Sequence, residues 1–184
     1  FSILAVLANL GDVYRFTGQY EKSLECLHSI LNTAEKDDIK RWITNVLTLI
    51  GNVYFDKKDY KQALEYYEKS FLVMKDVGIE YITIEDKLFY SIRYELSMKK
   101  CGKKYNEGKI ISLYNEMDYK GSHLIWETYD RFTIYQLLGD ISYLEIAYNE
   151  IQEKSDNLEP NVAAKFLSYP IPKAIVEAWE KVKL

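Results

Sequence analysis

Between residues 43 and 71 the apolar positions fall at three- and four-residue intervals, in two runs separated by a short polar stretch. Leu47, Ile50, Gly51 and Tyr54 make the first run, and Tyr60, Ala63, Leu64, Tyr67 and Phe71 the second, with Asp56, Lys57, Lys58 and Asp59 between them. This spacing puts each set on one face of an α-helix. The pattern predicts two antiparallel helices joined by a tight turn. Gly51 and Ala63 leave room for a close crossing, and Tyr54 and Tyr67 fill the space around it.

The same pattern stands forty residues upstream. Leu7, Gly11, Val13, Tyr14, Tyr20, Leu24 and Glu25 recur as Leu47, Gly51, Val53, Tyr54, Tyr60, Leu64 and Glu65, with Leu10 answered by Ile50 and Ser23 by Ala63. Agreement in register at this many positions marks an internal repeat. Helices are predicted from the start to about Phe16, with Thr17, Gly18 and Gln19 as the turn, and from Tyr20 to about Ala34, with Asp37 or Asp38 capping the next helix. The second repeat runs to about Asp76, and Val77 and Gly78 break it. A third, degenerate repeat follows: a helix from about Glu80, a turn at Cys101 and Gly102, and a helix from Tyr105 to about Met117.

Asp118 to Ser122 reads as a loop. A helix from His123 carries Leu124, Ile125, Tyr129, Phe132, Tyr135 and Leu138, and Gly139 and Asp140 make a stop and a new N-cap. The helix after it carries Ile141, Leu144, Ala147, Tyr148 and Ile151. In the tail, Pro160 opens a short helix to about Leu167. The run Tyr169, Pro170, Ile171 and Pro172 is expected to be extended, and Pro172 to open a last helix with Ile175, Trp179 and Val182 on one side.

At these repeated residues the chain resembles the tetratricopeptide repeat family, whose signature is a Leu, Leu-Gly, Tyr series on the first helix and a Tyr, Ala, aromatic series on the second. The match covers roughly residues 3–71. Its period exceeds the usual ~34 residues, as in the extended repeats of kinesin light chains, Pins-type adaptors and bacterial peptide-sensing regulators. The resemblance implies an all-α fold, a right-handed superhelical stack of antiparallel hairpins with a C-terminal capping helix. The organisation expected is 1–117 as three repeats (1–36, 37–77 and a degenerate 78–117), 118–158 as a repeat-like hairpin and 159–184 as the capping segment. From about Leu137 the chain also resembles the closing segment of long bacterial repeat proteins, some joined to signalling domains such as nucleotide cyclases.

Composition narrows the classes. Of 184 residues 48% are hydrophobic, and three prolines and eight glycines are too few for a turn-rich β fold. The net charge of −4 comes from acids and bases mixed along the helices, which argues against a nucleic-acid partner. Lys99, Lys100, Lys103 and Lys104 read as a solvated helix end. No apolar run approaches the ~20 residues of a membrane span, and the first residues lack the charged, apolar, then small pattern of a secretory signal. Cys26 and Cys101 have no CxxC spacing, so reduced thiols and a cytoplasmic location are expected. Residues 1–7 lack the polar face of a terminal repeat. A fragment of a longer array is therefore expected, which leaves self-association through that end open.

No catalytic constellation assembles. His28 and Cys26 point to different faces of one helix, and neither a metal-ligand spacing nor a phosphate-binding glycine loop is present. No enzyme activity, metal or cofactor is expected. The seventeen tyrosines and seven phenylalanines read as core and inter-repeat packing.

The remaining candidate is the concave surface implied by the resemblance, formed by the first helix of each hairpin. Its stripe would be Ala5, Ala8, Asn9, Asp12 and Phe16, then Asn45, Thr48, Leu49, Asn52, Phe55 and Asp56, then Glu85, Leu88, Phe89 and Ile92. Asparagine amides pair with a peptide backbone while Phe and Leu take side chains, and Asn9, Asp12, Phe16, Asn45, Thr48, Asn52 and Phe55 are the candidate contacts, Asn52 first. The stripe lacks the Lys and Arg with which chaperone-binding members grip a terminal carboxylate. The expected function is a protein-interaction module taking a peptide or helix of a partner, or of its own chain. The alternative is a spacer or self-association element of a larger bacterial signalling protein.

Overall fold

A computed structural model describes residues 3–78, 84–116 and 125–183; the side chains of 84–86 and 125–126 are not described. Among the described residues there are ten helices and no strand. They form two compact units, Phe1–Tyr105 and Asn106–Leu184.

The first unit contains α1 (Ile3–Phe16), α2 (Tyr20–Lys36), α3 (Lys40–Asp56), α4 (Tyr60–Val77) and α5 (Ile84–Lys100). α1 packs on α2 and α3 on α4, each pair an antiparallel hairpin, and α2 packs against α3 to join them. Each crossing is set by a glycine. A Cβ at Gly11 would stand 3.2 Å from Leu27, and one at Gly51 only 2.5 Å from the Tyr67 ring. Between the hairpins Leu27, Ile30, Leu31 and Ala34 of α2 share one core with Ile43, Val46, Ile50 and Val53 of α3.

The turns use local chemistry. Gly18 takes φ 78° after α1, a left-handed conformation that costs glycine little. Neither Asp37 nor Asp38 caps α3: Asp37 ends α2, and Ile39 precedes α3 without a side-chain cap. Asp38 instead takes φ 52° and pairs with Lys40 at 2.8 Å. Asparagine and aspartate tolerate this region better than other side chains, and at Asp38 turn geometry outweighs capping. The expected start of the third repeat at Glu80 and the loop 118–122 lie outside the described residues.

The second unit contains α6 (Glu107–Glu116), α7 (Ile125–Leu138), α8 (Ile141–Asp156), α9 (Pro160–Ser168) and α10 (Pro170–Val182). α7 and α8 pair, and α10 lies on α8, where Ile175 joins Leu144, Ala147 and Ile151 in one core and Trp179 stacks on Tyr148. Across α7 and α8 a partly buried polar clamp forms. Arg131 pairs with Glu150, Thr128 donates to Glu150 at 2.7 Å, and Lys154 donates to Thr128 at 3.3 Å. Burial holds the Lys154 ammonium below its usual range.

The expected extended run before the last helix is a single residue. Tyr169 alone is extended, and α10 begins at Pro170, not Pro172. Both prolines fit within the first helical turn, where backbone N–H groups have no intrahelical partner to lose.

Asp140 caps α8, accepting from the Ser142 backbone N–H at 3.0 Å and from its hydroxyl at 2.8 Å. These bonds, the backbone one first, hold its carboxyl below the ordinary 3.8. A depressed folded-state pKa adds stability that is complete above the ordinary value and fades as pH falls through the lowered one. Asp140→Ala is therefore expected to melt at a lower temperature at pH 7. Melts of both forms from pH 7 to pH 2 should show the gap closing at the acid end; a constant gap would mean that the charge does not matter.

Candidate functional site

Alternate helices of the first unit touch: α1 meets α3, and α3 meets α5. They form one row, and the side chains along it divide into a buried floor and an accessible rim.

The floor is a set of hydrogen bonds between helices. Ser23 donates to the Gly11 carbonyl at 2.7 Å, tying α2 to α1. Ser70 donates to the Thr44 carbonyl at 3.0 Å and lies 2.9 Å from the Thr48 hydroxyl, tying α4 to α3. The Tyr67 hydroxyl donates to Asn52 Oδ1 at 2.9 Å. Tyr67 is fully buried, and its phenol is pushed far above the usual range by desolvation. Asn52 is 0% exposed, and its Nδ2 has no partner.

An ionic link joins α1 to the end of α3. Arg15 donates through Nη1 to Asp56 at 2.7 Å and through Nε to Asp12 at 3.2 Å, with side-chain exposures of 2% for Arg15 and 8% for Asp56. The guanidinium also lies 4.3 Å from the Phe16 ring centre. Burial pushes the Asp12 carboxyl up, against the lowering by Arg15. The Tyr20 and Tyr60 hydroxyls are raised by burial and by the nearby Asp56 charge. Tyr60 meets Phe55 edge to face at 5.5 Å.

The seven candidate contacts therefore separate. Asn9 is exposed, and Asp12, Phe16 and Asn45 are half-buried; these four are accessible on α1 and α3. Thr48, Asn52 and Phe55 are buried and belong to the floor. In the third helix of the row Leu88 and Ile92 are buried and Phe89 is half-buried, with Arg93 5.2 Å from its ring. Glu85 lies among the side chains not described.

Sequence reasoning missed Arg15. One period after Arg15 stands Phe55, so the Arg15 pair with Asp56 has no counterpart in the other repeat, and a search for repeated positions passes over it. The available signal was Asp12 three residues before Arg15, a spacing that lets the two side chains meet.

His28 is half-buried, edge-on to Tyr66 at 6.5 Å, and Cys26 and Cys101 are free thiols. Among the described residues no group of His, Cys, Asp and Glu could hold a metal ion, and no helix is long and apolar enough to cross a membrane.

Antiparallel hairpins with a glycine at each crossing, stacked through α2 and α3, define a helical-repeat scaffold. Residues 2–76 match the family model described as Tetratricopeptide repeat, and this part of the chain is similar to that family. Comparison with curated proteins and with solved structures gave no match. Tetratricopeptide repeats are a non-catalytic scaffold family that generally mediates protein–protein interaction.

Proposed function

We propose that this chain is a protein-interaction module that takes an extended peptide along the α1 and α3 row, contacted by Asn9, Asp12, Phe16 and Asn45. The observation that carries this reading is the contrast between rim and floor. Accessible amides, a carboxylate and an aromatic ring lie on the same two helices as the buried Thr48, Asn52 and Phe55, two of which are hydrogen-bonded to α4. A site already ordered before binding loses less entropy on association. The rim chemistry suits a backbone: asparagine offers both a donor and an acceptor to a peptide group. Asp12, desolvated beside Arg15, favours a ligand N–H or cationic group. The floor residues position the rim and do not touch the ligand. The two free thiols suit a reducing compartment such as the cytoplasm.

Selection of binders from a random peptide library tests the proposal. Peptides enriched on the chain are expected to bind the Asn9→Ala/Asn45→Ala form at least about tenfold more weakly, a loss of ~1.4 kcal/mol or more. Both asparagines lie outside the buried core, so the melting temperature should stay unchanged. Equal binding by the two forms would place any recognition elsewhere.

A further inference from the structure

Lys154 sits in the α7 and α8 clamp without a carboxylate of its own. The Glu150 side chain, one turn earlier on α8, has both oxygens engaged: Oε1 accepts from Arg131 Nη1, and Oε2 from the Thr128 hydroxyl at 2.7 Å. Thr128 spends its single hydroxyl proton on that bond, so it meets Lys154 Nζ, at 3.3 Å, as an acceptor. Lys57 and Lys40 show the ordinary arrangement, with Nζ on Glu21 at 2.7 Å and on Asp38 at 2.8 Å. At Lys154 the half-buried ammonium rests on a neutral oxygen instead.

The charged groups around it are Glu127 and Arg131 of α7 and Glu150 and Glu153 of α8. Desolvation, the largest influence, and Arg131 favour the neutral amine, while the three glutamates favour the ammonium. Two of those glutamates are themselves paired with Arg131, Glu150 through Nη1 and Glu127 through Nη2 at 3.8 Å, which weakens their hold on the lysine. The third, Glu153, is exposed, where water screens its charge. A lysine desolvated beside another cation is the setting in which a protein amine acts as a nucleophile near neutral pH. Its partial exposure leaves it open to a small electrophile.

We propose that Lys154 is an acylation site, accepting acyl groups from small activated donors because Glu150 is committed to Arg131 and Thr128. The neutral amine attacks the acyl carbon of an acyl phosphate or an acyl thioester. A C–N bond forms, the C–O or C–S bond breaks, and phosphate or thiolate leaves with the electron pair. The surplus proton on nitrogen passes to water. The product amide is uncharged and keeps one N–H, enough to donate to Thr128. The site lies in the second unit and does not depend on the peptide reading.

Incubation of the 184-residue chain with acetyl phosphate, and separately with a small acetyl thioester, tests it, with the initial acetylation rate of each lysine read by peptide mass spectrometry across a pH series. At pH 7 Lys154 is expected to react at least about fivefold faster than Lys40 and Lys57 with one or both donors, and the faster donor identifies the source of the acyl group. As pH rises, the rates at Lys40 and Lys57 should climb roughly tenfold per pH unit, while the rate at Lys154 levels off earlier. Arg131→Met frees Glu150 for the lysine and is expected to remove the lead. Thr128→Val frees only Oε2, keeps the Arg131 pair and nearly the same side-chain shape, and should reduce the lead even if the first variant fails to fold. A Lys154 rate no faster than those of Lys40 and Lys57 with either donor, a rate that climbs with pH in parallel with theirs, or a lead kept in full by the folded variants would each overturn the proposal.

Discussion

Gly51→Ala is expected to destabilise the first unit by about 3 kcal/mol, the upper part of the range for overpacked cores. The added methyl would stand 2.5 Å from Tyr67 Cε1 and 2.7 Å from Cδ1. Tyr67 has nowhere to go: it is fully buried, and its hydroxyl is held on Asn52 at 2.9 Å. Moving the ring would break that bond and leave Asn52 with neither of its polar ends paired, since Nδ2 already lacks a partner. Gly11 is the internal control at the equivalent crossing. A methyl there meets the branched end of Leu27 at 3.2 Å, so this buried side chain needs to give by only a few tenths of an ångström, and alanine gains up to ~1 kcal/mol of helix propensity over glycine. Gly11→Ala is expected to change stability by less than about 1 kcal/mol. Urea unfolding of both variants checks the pair, and equal effects at the two glycines would show that the Tyr67 ring does not set the α3 and α4 crossing.

Arg15→Met is expected to cost about 3–5 kcal/mol, the range for breaking a buried ion pair by removing one partner. The loss would come less from the missing attraction than from what stays behind. Asp56, with an 8% exposed side chain, and the partly desolvated Asp12 would keep their charges without the guanidinium that compensates them. Methionine preserves most of the volume under the Phe16 ring, so packing loss is small. Adding Asp56→Leu to Arg15→Met is expected to recover most of the stability, because an apolar pair of similar size can replace a buried ion pair at little net cost. A double-mutant cycle by urea unfolding measures this. Additive losses, with no recovery in the double variant, would mean that the two side chains act independently of each other.

Much of the helical architecture was legible because it depends on local patterning. The end of α1 at Phe16 follows from Thr17 and Gly18, and the break between α7 and α8 from Gly139 and Asp140. The close crossing at Gly51 was visible in the small residue opposite a tyrosine. α10 starts two residues before the expected Pro172, because the run through Pro170 was expected to be extended whereas both prolines fit the first turn. Asp38 was read as a cap, and the turn required it in the left-handed region. These misses concern which of two roles a residue takes when its type suits both.

The candidate site was less legible. The stripe assigned from the repeat pattern was sorted by helix face, but face does not give depth. Asn52 and Thr48 sit on the row with Asn9 and Asn45 and yet are buried, because Tyr67 and Ser70 of α4 reach them from the partner helix. Arg15 escaped notice because its partner, Asp56, is forty-one residues away and falls off the forty-residue register.

Periodicity, the forty-residue self-similarity and the glycine positions by themselves determined that this protein is all-helical, that its first half is built of paired helices and where most of those helices turn. These are consequences of backbone geometry and of which face of each helix is apolar, and both act over a few residues. Only the tertiary structure decided which polar residues form the floor, that Arg15 ties two hairpins together and that Glu150 is taken by Arg131 and Thr128, leaving Lys154 a neutral oxygen. Burial and pairing depend on what lies across the interface, and residues brought together from separate helices are not set by the pattern of either helix alone.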